Sequence, residues 1–100
     1  MALKVQIDRD ALVDICKRYS VTRLAVFGSA LTDRFSTDSD LDVLVEFEDG
    51  KVPGLGFVAL QLELSELTGR DVDLHTYYSL SRYFRDVVSR DAEVQYEAAA

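Results

Sequence analysis

Cationic residues are scarce in this chain. Eleven lysines and arginines stand against eighteen aspartates and glutamates, for a formal charge of −7 at pH 7. No cluster of Lys or Arg offsets that balance. A negative field repels phosphate backbones and anionic lipid, so non-specific binding to nucleic acid or membrane surfaces is disfavoured. The single cysteine, Cys16, excludes an internal disulfide and a cysteine-based metal cluster. Apolar runs are short, well below the ~20 residues that a membrane-spanning helix needs. The opening Met1–Asp8 has neither the apolar stretch nor the small-residue cleavage site of a signal peptide. Internal repeats, low-complexity tracts and linkers are missing too. These absences leave a soluble chain, with the cytoplasm as its expected location. They also set a condition: an acidic protein that handles polyphosphate must recruit cations to do it.

The chain is not poor in core material, because 48% of its 100 residues are hydrophobic. That suits one compact domain over 1–100, near the small end of what buries a self-sufficient core. Periodicity predicts a helix over 8–19, capped by Asp8, with Leu12, Ile15, Cys16 and Tyr19 on one face. Val21–Phe27 reads as a buried strand ended by Gly28-Ser29. After a polar, turn-rich stretch, Asp40–Phe47 alternates: Leu41, Val43, Val45 and Phe47 on one side, Asp40, Asp42, Leu44 and Glu46 on the other. The connection between these strands is too short for an ordinary crossover helix, so they should pair antiparallel. A helix over 55–68 turns Phe57, Leu60, Leu64 and Leu67 inward and ends at Gly69. Asp71–Thr76 is a further alternating strand. A last helix over 80–89 should turn Leu80, Tyr83, Phe84, Val87 and Val88 inward, and Val94-Gln95-Tyr96 adds an edge strand. The expected fold is α+β: a small mixed sheet flanked by helices.

One constellation carries chemistry. Gly28 ends a strand and permits close approach of backbone N–H groups to phosphate oxygens, and Ser29 adds a hydroxyl donor. A short helix starting just after them would add a favourable dipole for an anion. Asp40 and Asp42 lie two apart on a strand, so both carboxylates project from one face. Such a pair is costly without a cation between its members, and Mg²⁺ favours oxygen ligands. Asp73 lies opposite Val72 and Leu74 on the later strand. Should that strand lie beside the first, three carboxylates converge on a patch able to hold two Mg²⁺ ions and clamp a triphosphate for in-line displacement.

Gly28-Ser29, a ten-residue gap, Asp40-x-Asp42 and a later Asp73 together resemble the signature of the DNA polymerase β-like nucleotidyltransferase superfamily. The likeness spans Val26–Phe47, Pro53-Gly54-Leu55, Glu63–Arg70, Val72-Asp73-Leu74 and Tyr83–Asp86. That layout is similar to the minimal nucleotidyltransferases, antitoxins paired with HEPN-domain toxins. The resemblance implies the polymerase β-like fold, contact of Gly28 and Ser29 with the triphosphate of ATP, and metal binding by Asp40 and Asp42. It implies that Asp73 completes the metal site and helps deprotonate the acceptor. It further implies transfer of AMP from ATP to a tyrosine of a HEPN-type RNase toxin, silencing it. Two positions depart from the pattern: Thr32 stands where relatives often carry Arg, and Thr37 where they carry Pro. Arg34 is the nearest basic residue to Thr32.

Other residues receive plainer readings. Asp71 reads as a solvated strand start, Glu46 as a surface carboxylate, and Cys16 as core packing. Tyr77 and Tyr78 read as loop tyrosines rather than self-modification sites. His75 alternates onto the Asp73 face and could assist proton transfer, but a structural or surface role at the strand end is the expectation. Two rival functions stand beside adenylyl transfer. One is a subunit of a two-component transferase modifying a small molecule. The other is an antitoxin with a vestigial site that acts by occlusion, against which the retention of all three carboxylates counts. Size favours the protein acceptor: the catalytic elements fill nearly all of the chain, so the acceptor must arrive on its own carrier.

Overall fold

The structure is a computed structural model that describes residues 6–31, 40–51 and 54–98. Thr32, Arg34 and Thr37 lie outside the described residues. Helix α1 spans Arg9–Arg18, and the Asp8 carboxylate accepts the Ala11 N–H at 3.1 Å. Asp10 in its first turn and Lys17 and Arg18 in its last complement the helix dipole. Strand β1 is Val21–Phe27, continued by a 3₁₀ turn over Gly28–Leu31. Strand β2 is Leu41–Phe47, helix α2 is Gly56–Thr68 and strand β3 is Val72–His75. After a second 3₁₀ turn at Tyr77–Ser79 come α3 (Arg85–Asp91) and β4 (Glu93–Glu97).

The strands form one mixed sheet in the order β3-β2-β1-β4. β2 and β4 run antiparallel to β1, as the short β1–β2 connection demands, and β4 takes the edge. β3 runs parallel to β2, because α2 supplies the crossover that a parallel pair needs. α1 and α2 cover one face, where Leu12, Ile15, Cys16, Leu60 and Leu64 pack on alternate residues of the sheet, Leu24, Val26, Val43 and Val45 among them. Arg18 of α1 pairs with Glu63 of α2 at 2.7 Å, and the Tyr19 hydroxyl donates to the same carboxylate. Among the described residues, no helix is long and apolar enough to cross a membrane.

β3 is the other edge strand, and α2 occupies two of its N–H groups. Val72 N–H donates to Ser65 Oγ at 3.0 Å and Leu74 N–H to Gln61 Oε1 at 3.4 Å. Those bonds blunt an edge that would otherwise offer itself for pairing. They also fix β3 in the orientation that buries Val72 and Leu74 and leaves Asp73 outward.

The last helix departs from its expected course. Helix α3 begins at Arg85, and of the five residues expected to face inward only Leu80 is buried. Tyr83 is 82% exposed, Phe84 51% and Val87 47%. Local hydroxyl bonds account for the late start. Ser79 Oγ donates to Thr76 O at 2.8 Å and accepts from Thr76 N–H, while Ser81 Oγ accepts the Tyr83 N–H at 3.3 Å. Such bonds offer the backbone an alternative to helix, and Leu80 consequently sits in an extended conformation.

Candidate active site

The second face of the sheet carries the polar chemistry. Strand alternation that turns Leu41 and Val43 into the core must turn Asp42 the other way. On β3 the same rule opposes Asp73 and His75 to Val72 and Leu74. Register then decides what meets. β2 and β3 pair with Asp42 beside Asp73 and Leu44 beside His75, while β1 places Phe27 beside Asp42. The Leu41 N–H donates to the Asp71 carbonyl at 2.9 Å, locking the start of this parallel ladder.

Asp42, Asp73 and His75 each offer an atom within 4.8 Å of the others'. His75 Nε2 lies 3.3 Å from Asp73 Oδ2 and 3.8 Å from Asp42 Oδ1. The imidazole also meets the Phe27 ring at a tilt, with centroids 5.4 Å apart. Burial holds the Asp42 carboxyl above the usual carboxylate range; the charges of Asp73 and Asp40 raise it further, and His75 opposes them. Asp40 is exposed at the threshold of β2 and acts on Asp42 through its charge, but it stands outside the three-residue cluster. A carboxylate partly withdrawn from water beside two others is an arrangement that a bound cation would relieve.

Gly28 adjoins this cluster. Its φ of +76° belongs to the left-handed region, and a Cβ there would come 2.5 Å from Asp42 Oδ2. The left-handed turn therefore favours glycine, and any Cβ would in addition displace the Asp42 carboxylate. Ser29 belongs to the 3₁₀ turn that Gly28 begins. Backbone N–H groups of this turn and the Asp42 carboxylate thus share one corner of the molecule.

The remaining candidates separate. Glu46 pairs with Arg23 at 3.2 Å, and Asp71 is an exposed strand-start residue. Cys16 is fully buried in the core, where burial pushes its thiol up to about 12. The Tyr77 hydroxyl donates to Asp86, and its ring meets that of Tyr78 edge-on at 5.0 Å. His75 ends β3 on the Asp73 face, as expected, and there it faces two carboxylates. Alternation had placed it on the Asp73 face, but its nearness to Asp42 depends on a register that only the pairing of β2 with β3 supplies.

The sequence matches the nucleotidyltransferase domain family over residues 9–96. A Methanocaldococcus jannaschii protein named for protein adenylyltransferase activity is 36% identical over 81% of this chain and 86% of its own. The protein adenylyltransferase MntA of Thermococcus cleftensis is 35% identical over 78% of each chain. A solved structure described as a minimal nucleotidyltransferase superposes with a TM-score of 0.70 at 38% identity, over 84% of this chain and 85% of the other. A toxin–antitoxin crystal structure with AMP-PNP shares the fold, with a TM-score of 0.71 at 18% identity over 92% of this chain and 75% of the other.

Proposed function

This chain belongs to the nucleotidyltransferase domain family, and on that premise we propose that it is a protein adenylyltransferase acting as an antitoxin. Its reaction transfers AMP from ATP to a tyrosine hydroxyl of a partner HEPN-type RNase toxin. The observation that carries the reading is the β2–β3 register, which sets Asp42 beside Asp73 with Gly28 against the same carboxylate.

In this reading Asp40, Asp42 and Asp73 hold two Mg²⁺ ions, and the oxygen-rich donor set suits a hard cation. The ions would offset triphosphate charge and make the acceptor hydroxyl easier to ionise. The chain's own groups divide the rest. Gly28 and Ser29 receive the phosphates through backbone N–H groups and a hydroxyl. Asp73, exposed at the sheet edge, accepts the proton of the incoming tyrosine. The tyrosine oxygen bonds to the α-phosphorus, the α–β bridging bond breaks, and pyrophosphate departs with the electron pair. The 100 residues act as one domain in this scheme, and the acceptor arrives on its own protein.

Names borne by relatives support the reading: two are named for protein adenylyltransferase activity, and a protein of the same fold was solved as a toxin–antitoxin with AMP-PNP. Incubating the chain with a co-purified partner and α-³²P-ATP tests it. Label should appear on the partner in Mg²⁺ and vanish with EDTA or Asp42→Asn. Binding that silences the partner without label transfer would instead establish occlusion by a vestigial site.

A further inference from the structure

The oxygen-only picture of this site omits the nitrogen that faces it. His75 follows Asp73 by two residues, so the alternation that turns one outward turns the other outward as well. Parallel pairing brings it beside Leu44, one alternate position along β2 from Asp42. Phe27 flanks the ring, with centroids 5.4 Å apart. Phe27 is itself the β1 partner of Asp42, so three strands aim their side chains at one point.

The three groups lie close enough to share one ion. An ion with bonds of about 2.1 Å in octahedral geometry seats adjacent donor atoms about 3 Å apart and opposite ones about 4.2 Å apart. His75 Nε2 lies 3.3 Å from Asp73 Oδ2, within a few tenths of an ångström of the adjacent spacing, and 3.8 Å from Asp42 Oδ1, so binding asks only a small shift of that carboxylate. Chemistry then distinguishes this donor from its neighbours. Mg²⁺ is served by carboxylate and water, whereas imidazole favours first-row transition ions. We propose that His75 is a nitrogen ligand of the cation site, joining Asp42 and Asp73 on one ion and shifting the site's preference from Mg²⁺ toward transition dications that take imidazole, such as Fe²⁺ or Zn²⁺. The inference rests on the carboxylates being cation ligands, as in the reading above. It goes beyond that reading in the identity of the ligand and of the preferred metal.

His75 is the single histidine of the chain, which makes the assignment open to direct measurement. Untagged full-length protein is loaded with Mn²⁺ alone, without nucleotide, and examined by electron spin-echo envelope modulation. The expected result is ¹⁴N modulation from a directly bound imidazole, a signature that needs no variant to be read. In His75→Leu that modulation should vanish. Calorimetry should show Zn²⁺ affinity falling on the order of tenfold, with Mg²⁺ affinity changing much less. Mn²⁺ bound by wild type without ¹⁴N coupling, and equally well by the variant, would overturn the proposal and leave the carboxylate site standing. No Mn²⁺ binding to either protein would remove both. Label transfer to the partner, measured separately, reports on the adenylyltransferase reading whatever the metal result.

Discussion

Gly28 and Asp42 constrain each other at the scale of single residues. Any Cβ at position 28 meets the Asp42 carboxylate and must also adopt a left-handed φ. Gly28→Ala should therefore destabilise the protein by about 1–2 kcal/mol and displace Asp42. Urea melts and Mg-ATP calorimetry on the same preparation would read both effects, and unchanged ATP affinity would reduce Gly28 to a strand terminator. Asp42 carries its own prediction. Because its folded carboxyl sits above the usual range, it contributes stability at low pH that is lost as pH rises through that raised value. Above that raised value, metal-free wild type bears an ionised, partly buried carboxylate that Asp42→Asn lacks. The variant should be the more stable of the two in EDTA at neutral pH. That advantage should shrink as pH falls through the raised value toward the ordinary carboxylate value, and an advantage independent of pH would contradict the assigned cause.

Helix α2 shows what an element can and cannot disclose about itself. Leu60 and Leu62 are two residues apart with the same side chain, yet Leu60 is fully buried and Leu62 mostly exposed. Leu60→Ala should cost about 2–5 kcal/mol through lost burial and a residual cavity, whereas Leu62→Ala should stay within roughly 0.5 kcal/mol of wild type. Chemical denaturation of the two variants tests the orientation of the helix. Ser65 and Gln61 act differently, by holding the β3 edge through side-chain acceptors. Losing them would loosen the strand that presents Asp73 without emptying the core. The run 80–91 makes the opposite point. Its apolar spacing suits a helix with one buried stripe, but serine hydroxyls divert the backbone, and Tyr83, Phe84 and Val87 face outward.

At the scale of the whole molecule, the net charge of −7 and the proposed cation site belong to one balance. Self-repulsion burdens an acidic fold, and a cation bound to the folded state alone stabilises it by mass action. At roughly 100 times the dissociation constant that linkage amounts to about 2.7 kcal/mol, or a rise in Tm of roughly 10–20 °C for a domain of this size. Thermal melts in EDTA, Mg²⁺ and Mn²⁺ should show the rise, and Asp42→Asn should abolish it. An equal rise in the variant would point to diffuse screening instead of a site.

Much of this architecture follows from local pattern. Alternation in 41–47 and 72–75 assigns each side chain to a face, because the strand period of two leaves no choice. The stripe in 9–18, the Asp8 cap and the Gly69 stop likewise bound their helices by short-range chemistry. Gly28, Ser29, Asp40, Asp42 and Asp73 are legible as candidates for the same reason: turn and strand geometry determine how near neighbours in sequence project. Long-range register is another matter, since no residue in β2 states which residue of β3 lies beside it. The crossover through α2 and the bonds from Ser65 and Gln61 settle that, and with it the meeting of Asp42, Asp73 and His75. The exposure of Tyr83, Phe84 and Val87 is likewise tertiary, because a periodic stripe states which residues share a face and not whether anything packs against it. Sequence determined the faces and the candidate groups; the packing of separate strands decided which of those groups meet, because distance in space between distant residues is a property of the assembled sheet.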